Sequence, residues 1–229
     1  MTDIPSGDDI ISKPASVTLN FLLKKLDKSE KYSFLDIGCG NGRDIAYLSS
    51  HFDNIVFYGI DISLRAIENA IQLNSSKNHI TFDRKNWIEL DNSQYDIVYI
   101  SGVYHFFQLT EREAFVPKIK RILKSHGFLI LSTLSSNDKQ YFGKGNPVPN
   151  DPNSFQSDFY LHFCSEKELR NDFNFLNIDD LFEFSHKNFA NDTEYHTMWM
   201  LVGENKLYSN LNRSRHLISR NKIEENKEK

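Results

Sequence analysis

The chain has little of several features that define whole classes of protein. Its 229 residues include two cysteines, Cys39 and Cys164, in no metal-type spacing. Neither a disulfide framework nor a metal site is therefore expected, and a reducing, cytoplasmic setting is favoured. No apolar run approaches the ~20 residues that a membrane-spanning helix needs. The formal net charge of −4 provides no general attraction to nucleic acid or to anionic membranes.

The start of the chain is polar. Met1–Asp9 carries three Asp and no basic residue, a composition that is not typical of a secretory signal. Apolar residues between Ala15 and Leu26 have the spacing of an amphipathic helix. We therefore expect residues 1–30 to form an arm and a helix that precede the main domain.

After this arm, strand and helix patterns alternate. Strands are predicted at the following segments: Tyr32–Ile37, Ile55–Ile60, His79–Phe82, Tyr95–Ser101 and Phe128–Ser132. Ser63 is placed to cap a helix over Leu64–Asn74, and Thr110–Glu113 has the pattern of a capping box for a later helix. Pro117 predicts a kink or a break in that later helix, and His126–Gly127 predicts its end. Such alternation favours a mostly parallel sheet with helices on both faces.

The alternation breaks in the last part of the chain. Residues 135–160 are rich in Pro, Gly, Asn and Asp, and their length is typical of a functional lid. Two strands, Ile178–Phe184 and His196–Val202, then follow close together. The predicted fold is a doubly wound, seven-stranded, mostly parallel sheet with a C-terminal antiparallel hairpin, in a domain over residues 31–205. Residues 206–229 are expected to be a polar, partly disordered tail with an excess of basic residues.

The most informative segment is the glycine loop Gly38–Gly42, which has the spacing GxGxG between a predicted strand and a predicted helix. Such a loop lets a ligand approach the backbone closely. The spacing differs from the GxGxxG of nicotinamide dinucleotide sites. Asp36 precedes the loop, and its carboxylate would repel phosphates but attract a cationic group. Asp61, which ends the second strand, suits the hydroxyls of a ribose.

In these residues the chain resembles the class I S-adenosylmethionine-dependent methyltransferases, over about residues 32–202. Tyr95–Val98 is similar to the family's FDvV strand, and Ser101–His105 is similar to its s.vlhh stretch. Arg121–Gly127 is similar to the RvLkpgG segment before strand five. Within the family, the GCGxGRD form and the lid-like insertion are similar to small-molecule methyltransferases of the tellurite-resistance and thiopurine types.

The resemblance implies S-adenosyl-L-methionine as the cofactor, with its methionine portion at the glycine loop and its ribose at Asp61. The family usually has an Asp near the adenine amino group. Asn86–Trp87 is the nearest match to that position, and Asp83 is the alternative. Cofactor contacts are therefore expected from Asp36, Gly38, Cys39, Gly40, Asn41, Gly42, Asp61, Ile62, Asn86, Trp87 and Ser101.

The methyl acceptor is expected over the carboxyl ends of the strands, near strand four and the insertion. Candidate contacts there are Tyr104, His105, Tyr141, Tyr160 and His162. We predict catalytic roles for Tyr104, Tyr160, His162 and above all His105, the favoured base. For each of them, packing or a surface hydrogen bond is an equally good interpretation.

The class of acceptor stays open in the sequence. An Asn-Pro-Pro-Tyr motif, typical of adenine amino-methyltransferases, is absent after strand four. No added recognition domain is expected, and the overall charge is acidic. Both facts favour a small molecule, methylated by in-line displacement, which depends mainly on positioning. The alternatives are an RNA (cap or tRNA) methyltransferase that uses the basic tail, and a non-catalytic protein that binds the same cofactor. A nicotinamide oxidoreductase is disfavoured by the loop spacing and by the terminal hairpin.

Overall fold

The computed structural model describes residues 19, 26–187 and 195–206. The predicted N-terminal arm, most of the predicted first helix and residues 207–229 of the predicted tail lie outside the described residues. Within the described part, no helix has both the length and the apolar character required to cross a membrane.

Ten strands and four α-helices form the described part of the chain. The strands are β1 (Tyr32–Ile37), β2 (Ile55–Asp61), β3 (Ile80–Arg84), β4 (Tyr95–Ser101), β5 (Leu123–Leu134), β6 (Asn146–Pro147), β7 (Ser154–Gln156), β8 (Tyr160–His162), β9 (Leu176–Lys187) and β10 (Tyr195–Asn205). The helices are α1 (Arg43–Ser49), α2 (Leu64–Leu73), α3 (Leu109–Ile122) and α4 (Glu166–Asp172).

Seven of these strands form the main sheet, in the order β3-β2-β1-β4-β5-β10-β9. The strands β3, β2, β1, β4 and β5 are parallel to one another, and β10 is antiparallel to both β5 and β9. This topology confirms the predicted Rossmann-like fold with its C-terminal hairpin. Because β10 alone runs in the opposite direction, its first residues lie beside the carboxyl end of β5, where Met198 pairs with Leu134.

Helices cover both faces of the sheet, as predicted. On one face, Ile45 of α1 and Ile67 of α2 belong to one buried cluster. On the other face, Phe115 and Ile119 of α3 pack with Leu169 of α4 in a second cluster. Burial of each such large apolar side chain contributes about 1.5–3 kcal/mol. The two clusters hold the sheet rigidly between them.

The cap of α2 is confirmed, because the Ser63 hydroxyl accepts a hydrogen bond from the amide of Ala66. On this helix Ile67 and Ala70 are buried, whereas Leu64 and Ile71 are exposed.

Helix α3 differs from its prediction at both ends and in the middle. It begins two residues early, because Glu111 accepts a hydrogen bond from the amide of Gln108 and so forms the capping box there. Pro117 does not break it: the proline is exposed, and so is the residue four positions earlier, Glu113, whose carbonyl water can reach. The helix ends at Ile122, and β5 starts directly afterwards rather than at Phe128.

The insertion predicted as an irregular lid contains a small antiparallel sheet, β6-β7-β8. A buried polar network ties this sheet to α3. Arg112 donates through Nη2 to Asp151 Oδ1 at 2.6 Å and through Nη1 to the Tyr160 hydroxyl at 2.7 Å. Asp151 Oδ2 accepts from the same hydroxyl at 2.7 Å and from the amide of Leu109 at 3.2 Å. The insertion is therefore anchored to the domain by a fixed ion pair.

Candidate functional site

The glycine loop between β1 and α1 has a backbone that other residues rarely adopt. The φ angles of Gly38, Gly40 and Gly42 are 76°, 54° and 72°. A β-carbon on Gly38 would lie 2.3 Å from Cγ2 of Val103. Glycine is thus required at this position both for conformation and for space.

Asp61 at the end of β2 holds this loop in place. Its Oδ2 accepts from the amide of Gly40 at 3.0 Å, and its Oδ1 accepts from the amide of Ser63 at 2.9 Å. A carboxylate has about four lone-pair sites, so two remain for a ligand. Asp61 can therefore bind two hydroxyls while it organises the loop and the start of α2.

A cavity of about 610 Å³ opens at the carboxyl ends of the parallel strands. The glycine loop and α1 form one end, and the insertion with β9 and β10 forms the other. Its lining residues are Asp36, Gly38, Cys39, Gly40, Asn41, Arg43, Asp44, Ser101, Gly102, His105, Phe106, Ser132, Leu134, Tyr141, Phe159, Leu161, Phe184, His196 and Met198. The volume accommodates a small organic ligand.

Two carboxyl groups give the glycine-loop end its chemistry. Asp36 is buried, and burial together with the nearby charges of Asp44 and Asp61 raises its pKa well above the usual range. Asp44 accepts from the Tyr99 hydroxyl through Oδ2 at 2.8 Å, whereas its buried Oδ1 has no hydrogen-bond partner within the described residues. A cationic ligand at this end would place a positive charge beside both carboxyl groups.

Cys39 also lines this end of the cavity, but it does not compete as a nucleophile. Burial raises the pKa of its thiol, and the charges of Asp36 and Asp61 raise it further. The thiolate is the reactive form of cysteine, so this side chain stays inert.

The opposite end of the cavity is apolar and aromatic. Leu134, Leu161, Phe184 and Met198 form its walls. At its mouth the rings of Phe106 and Phe159 meet edge to face, with centroids 6.4 Å apart, and these residues are 49% and 54% exposed. Large apolar side chains with so much exposed surface are typical of a binding site.

His105 lies in the wall between the two ends, in a 3-10 turn directly after β4. Burial lowers the pKa of its imidazole to about 3, and His196 and His162 reinforce this shift. The ring is therefore neutral at physiological pH. Its Nδ1 is buried and has no hydrogen-bond partner in the described part of the chain.

Tyr104, Tyr160 and His162 do not line the cavity, and their contacts favour the packing and hydrogen-bond interpretation, so their catalytic roles stay a prediction. Tyr104 is completely buried against Phe173, and its hydroxyl donates to Asp172 at 3.1 Å. The Tyr160 hydroxyl and the His162 ring are occupied by the polar network behind the small sheet.

His162 is held by two hydrogen bonds: Nε2 donates to the Glu168 carboxylate at 2.7 Å, and Nδ1 shares a hydrogen bond with the Ser154 hydroxyl at 2.8 Å. With Cys164 and Glu168 it forms a group whose potential ligand atoms lie within 4.8 Å of one another. Arg112 Nε lies 3.9 Å from the same Glu168 carboxylate. This guanidinium opposes a metal ion there.

The residues predicted near the adenine, Asn86 and Trp87, do not line the cavity, and neither does the predicted cofactor contact Ile62. Ile62 is exposed directly after β2. Asn86 caps a 3-10 turn, since its side-chain oxygen accepts from the amide of Ile88 at 3.1 Å. Trp87 is buried and packs against Phe115, which favours the packing interpretation. The adenine contact itself stays a prediction.

Sequence reasoning missed His196 and Asp138. His196 lines the cavity from the second residue of β10. The sequence contained a usable signal for His196. The predicted hairpin implied an antiparallel last strand, and such a strand starts at the sheet edge where the parallel strands end. Asp138 is buried behind His196 and accepts from the amide of Thr197 at 2.6 Å.

Comparisons with known proteins agree with this geometry. Residues 35–129 match the family model of a methyltransferase domain. No curated protein sequence matches the chain significantly. An S-adenosylmethionine-dependent methyltransferase from Methanosarcina mazei has a similar fold, with a TM-score of 0.70, 22% identity and coverage of 82% of this chain and 97% of that one.

Two further solved structures have the same fold. The 1,6-didemethyltoxoflavin-N1-methyltransferase of Burkholderia thailandensis has a TM-score of 0.63 and 16% identity, with coverage of 87% of this chain and 82% of that one. TehB of Haemophilus influenzae has a TM-score of 0.62 and 16% identity, with coverage of 90% of this chain and 64% of that one.

Proposed function

We propose that this chain, which carries the domain of a class I S-adenosylmethionine-dependent methyltransferase, methylates a small molecule held in the 610 Å³ cavity. One observation carries the proposal: a single cavity joins the glycine loop to an apolar end, with a neutral imidazole between them. Structural neighbours named for small acceptors, didemethyltoxoflavin and magnesium protoporphyrin IX among them, support it.

The residues at the glycine-loop end fit S-adenosyl-L-methionine. Its ammonium and sulfonium groups are cations, and the carboxyl groups of Asp36 and Asp44 both line this end of the cavity. The loop backbone would surround the methionine portion, Asp61 would bind the ribose and Ile62 would lie against the adenine. When bound, the cofactor supplies an electrophilic methyl carbon.

The chain contributes mainly position and exclusion of water. In-line displacement requires the acceptor atom to be held at short distance and in line, and effective molarities for such alignment are large. The apolar walls and the ring pair Phe106–Phe159 keep water from the reacting atoms. No metal or universal catalytic side chain is needed for this step.

His105 is the group that receives the proton. A neutral hydroxyl becomes strongly acidic as it forms its new bond to carbon, so even a weak base is sufficient at that moment. Because the pKa of His105 is about 3 in the empty site, its lone pair is available at every physiological pH. The imidazole would first accept a hydrogen bond from the methyl acceptor and then take up its proton.

The cofactor assignment is tested by calorimetry with S-adenosylhomocysteine and its 2′,3′-dideoxy analogue. Wild type is expected to prefer S-adenosylhomocysteine by roughly 10²- to 10⁴-fold, because two hydrogen bonds from hydroxyls to a charged group, each contributing about 1.5–3 kcal/mol, are lost in the analogue. In Asp61→Ala this preference should shrink to nearly onefold, whatever happens to the loop that Asp61 also holds.

NAD serves as the control ligand and should not bind to either protein. If Asp61→Ala and wild type prefer S-adenosylhomocysteine over the analogue by the same factor, the ribose does not bind at Asp61. Failure of wild type to bind S-adenosylhomocysteine would refute the proposed function itself.

A further inference from the structure

Among the described lining residues, carboxyl and guanidinium groups lie at one end of the cavity only. They are Asp36, Arg43 and Asp44, and all three belong to β1 or α1. The far end offers hydrocarbon, aromatic rings and imidazoles. A charged group buried there would lose hydration without gaining a counter-charge from a lining side chain.

Two histidines also line the cavity, His105 between its two ends and His196 at the far end. The Nδ1 atom of each is buried and has no hydrogen-bond partner within the described residues. A buried acceptor or donor left without a partner costs about 1–3 kcal/mol. The Nδ1 of His105 therefore indicates a ligand that completes its hydrogen bond, whereas the Nδ1 of His196 lies beside a carboxylate.

Asp138 lies beside the His196 ring. Its Oδ2 lies 3.9 Å from His196 Nδ1 and accepts from the amide of Thr197 at 2.6 Å, while its Oδ1 accepts from the amides of Gln140 and Tyr141 at 3.0 and 2.6 Å. Three amides hold this carboxylate in position. Its charge favours the tautomer with a proton on Nδ1, which leaves Nε2 of His196 as a hydrogen-bond acceptor.

Aromatic rings define the shape of the far end. Tyr141 stacks on the His196 ring with centroids 4.6 Å apart and an interplanar angle of 34°. Phe106, Phe159 and Phe184 supply further faces and edges. Rings favour offset and edge-to-face contacts with other rings, so a flat ligand is accommodated best.

We propose that the methyl acceptor is an uncharged, planar aromatic compound bearing an N–H or O–H group, and that His196 is a second residue that recognises it. The inference rests on the proposed function, since it names the substrate class of the same cavity. His105 faces the acceptor from the end of β4, and His196 faces it from the start of β10.

Three naphthalene derivatives test this, each titrated into protein saturated with S-adenosylhomocysteine. 2-Naphthol is neutral and donates, 2-methoxynaphthalene cannot donate, and 2-naphthoate is an anion. Wild type is expected to bind 2-naphthol about tenfold more tightly than either of the others, the effect of one neutral hydrogen bond.

His196→Phe keeps the ring that stacks on Tyr141 but removes the acceptor nitrogen. We expect it to weaken 2-naphthol binding several-fold and to leave 2-methoxynaphthalene binding unchanged, while His196→Gln restores part of the preference. His79→Phe is the matched control, because His79 has a buried unpartnered Nε2 but lies outside the cavity lining. It should behave as wild type.

Saturable S-adenosylhomocysteine binding in each variant shows that the variant is folded. If S-adenosylhomocysteine binds and none of the three compounds does, or if 2-naphthoate binds most tightly, the substrate class is wrong and the proposed function stands. An unchanged 2-naphthol affinity in His196→Phe removes His196 from recognition. If S-adenosylhomocysteine itself does not bind to wild type, both proposals fall.

Discussion

Replacement of Arg112 with Met will lower the free energy of unfolding by about 3–5 kcal/mol. Arg112 and Asp151 are 4% and 5% exposed and their closest atoms are 2.6 Å apart. Burial opposes ionisation of Asp151, yet the hydrogen bonds from Arg112 and Tyr160 hold its pKa below the usual range. Removal of the guanidinium would leave this carboxylate buried without its cation.

Chemical denaturation of wild type and variant measures the difference. Arg170→Met is the matched control, because Arg170 makes an exposed ion pair with Glu166 at 2.8 Å, with 50% and 52% of the side chains exposed. Such pairs contribute about 0–0.5 kcal/mol. Arg112→Met combined with Asp151→Asn should recover part of the loss. A loss below 1 kcal/mol in Arg112→Met would mean that the network does not anchor the insertion.

Replacement of Asp36 with Asn will have opposite effects on stability and on cofactor binding. In the ligand-free protein, burial raises the pKa of Asp36, and Asp44 and Asp61 raise it further. The folded state then holds this proton more tightly than the unfolded state, so wild-type stability falls as pH rises from about 4 to the raised pKa. At pH values above the raised pKa, each pKa unit of this shift lowers the free energy of unfolding by about 1.4 kcal/mol.

The Asn variant has no charge to bury, so it should be more stable than wild type at pH 7 and 8, with a smaller advantage at pH 5. It should also bind S-adenosylmethionine roughly 10- to 100-fold more weakly, because a cation loses its counter-charge. Denaturation at each pH and calorimetry measure the two effects.

Asp96→Asn provides a control of opposite sign. Burial opposes the ionisation of Asp96, but hydrogen bonds from Lys124 and Ser33 outweigh it and lower its pKa. Its ionised form therefore stabilises the protein above about pH 4, and that stability is lost as pH falls through the lowered pKa. Asp96→Asn should thus be less stable than wild type at pH 7. A less stable Asp36→Asn at pH 8 would contradict the proposed burial of its charge.

The main sheet was predictable because each strand carries its own signal. Tyr32–Ile37 and Tyr95–Ser101 have the predicted bounds, and the glycine loop has the conformation that its spacing implies. These features depend on residues close together in the chain. Local pattern was therefore sufficient for the fold and for the loop.

The acceptor end of the cavity was less predictable, because it depends on contacts between distant segments. Tyr104 and His105 are adjacent, yet only the second lines the cavity, since the 3-10 turn directs the first into the core. Tyr160 is occupied by Arg112 and Asp151, which stand 48 and 9 residues away in sequence. No local pattern encodes that network.

The imidazoles of the cavity have a consequence for turnover. In the proposed reaction the O–H or N–H of the methyl acceptor donates a hydrogen bond to an imidazole nitrogen of the cavity wall. Methylation replaces that hydrogen by carbon, so the product makes one hydrogen bond fewer and is held about tenfold less tightly than the substrate. The same hydrogen bond that admits the substrate thus promotes product release. It also limits product inhibition and, at a hydroxyl, restricts the reaction to one methyl group per site.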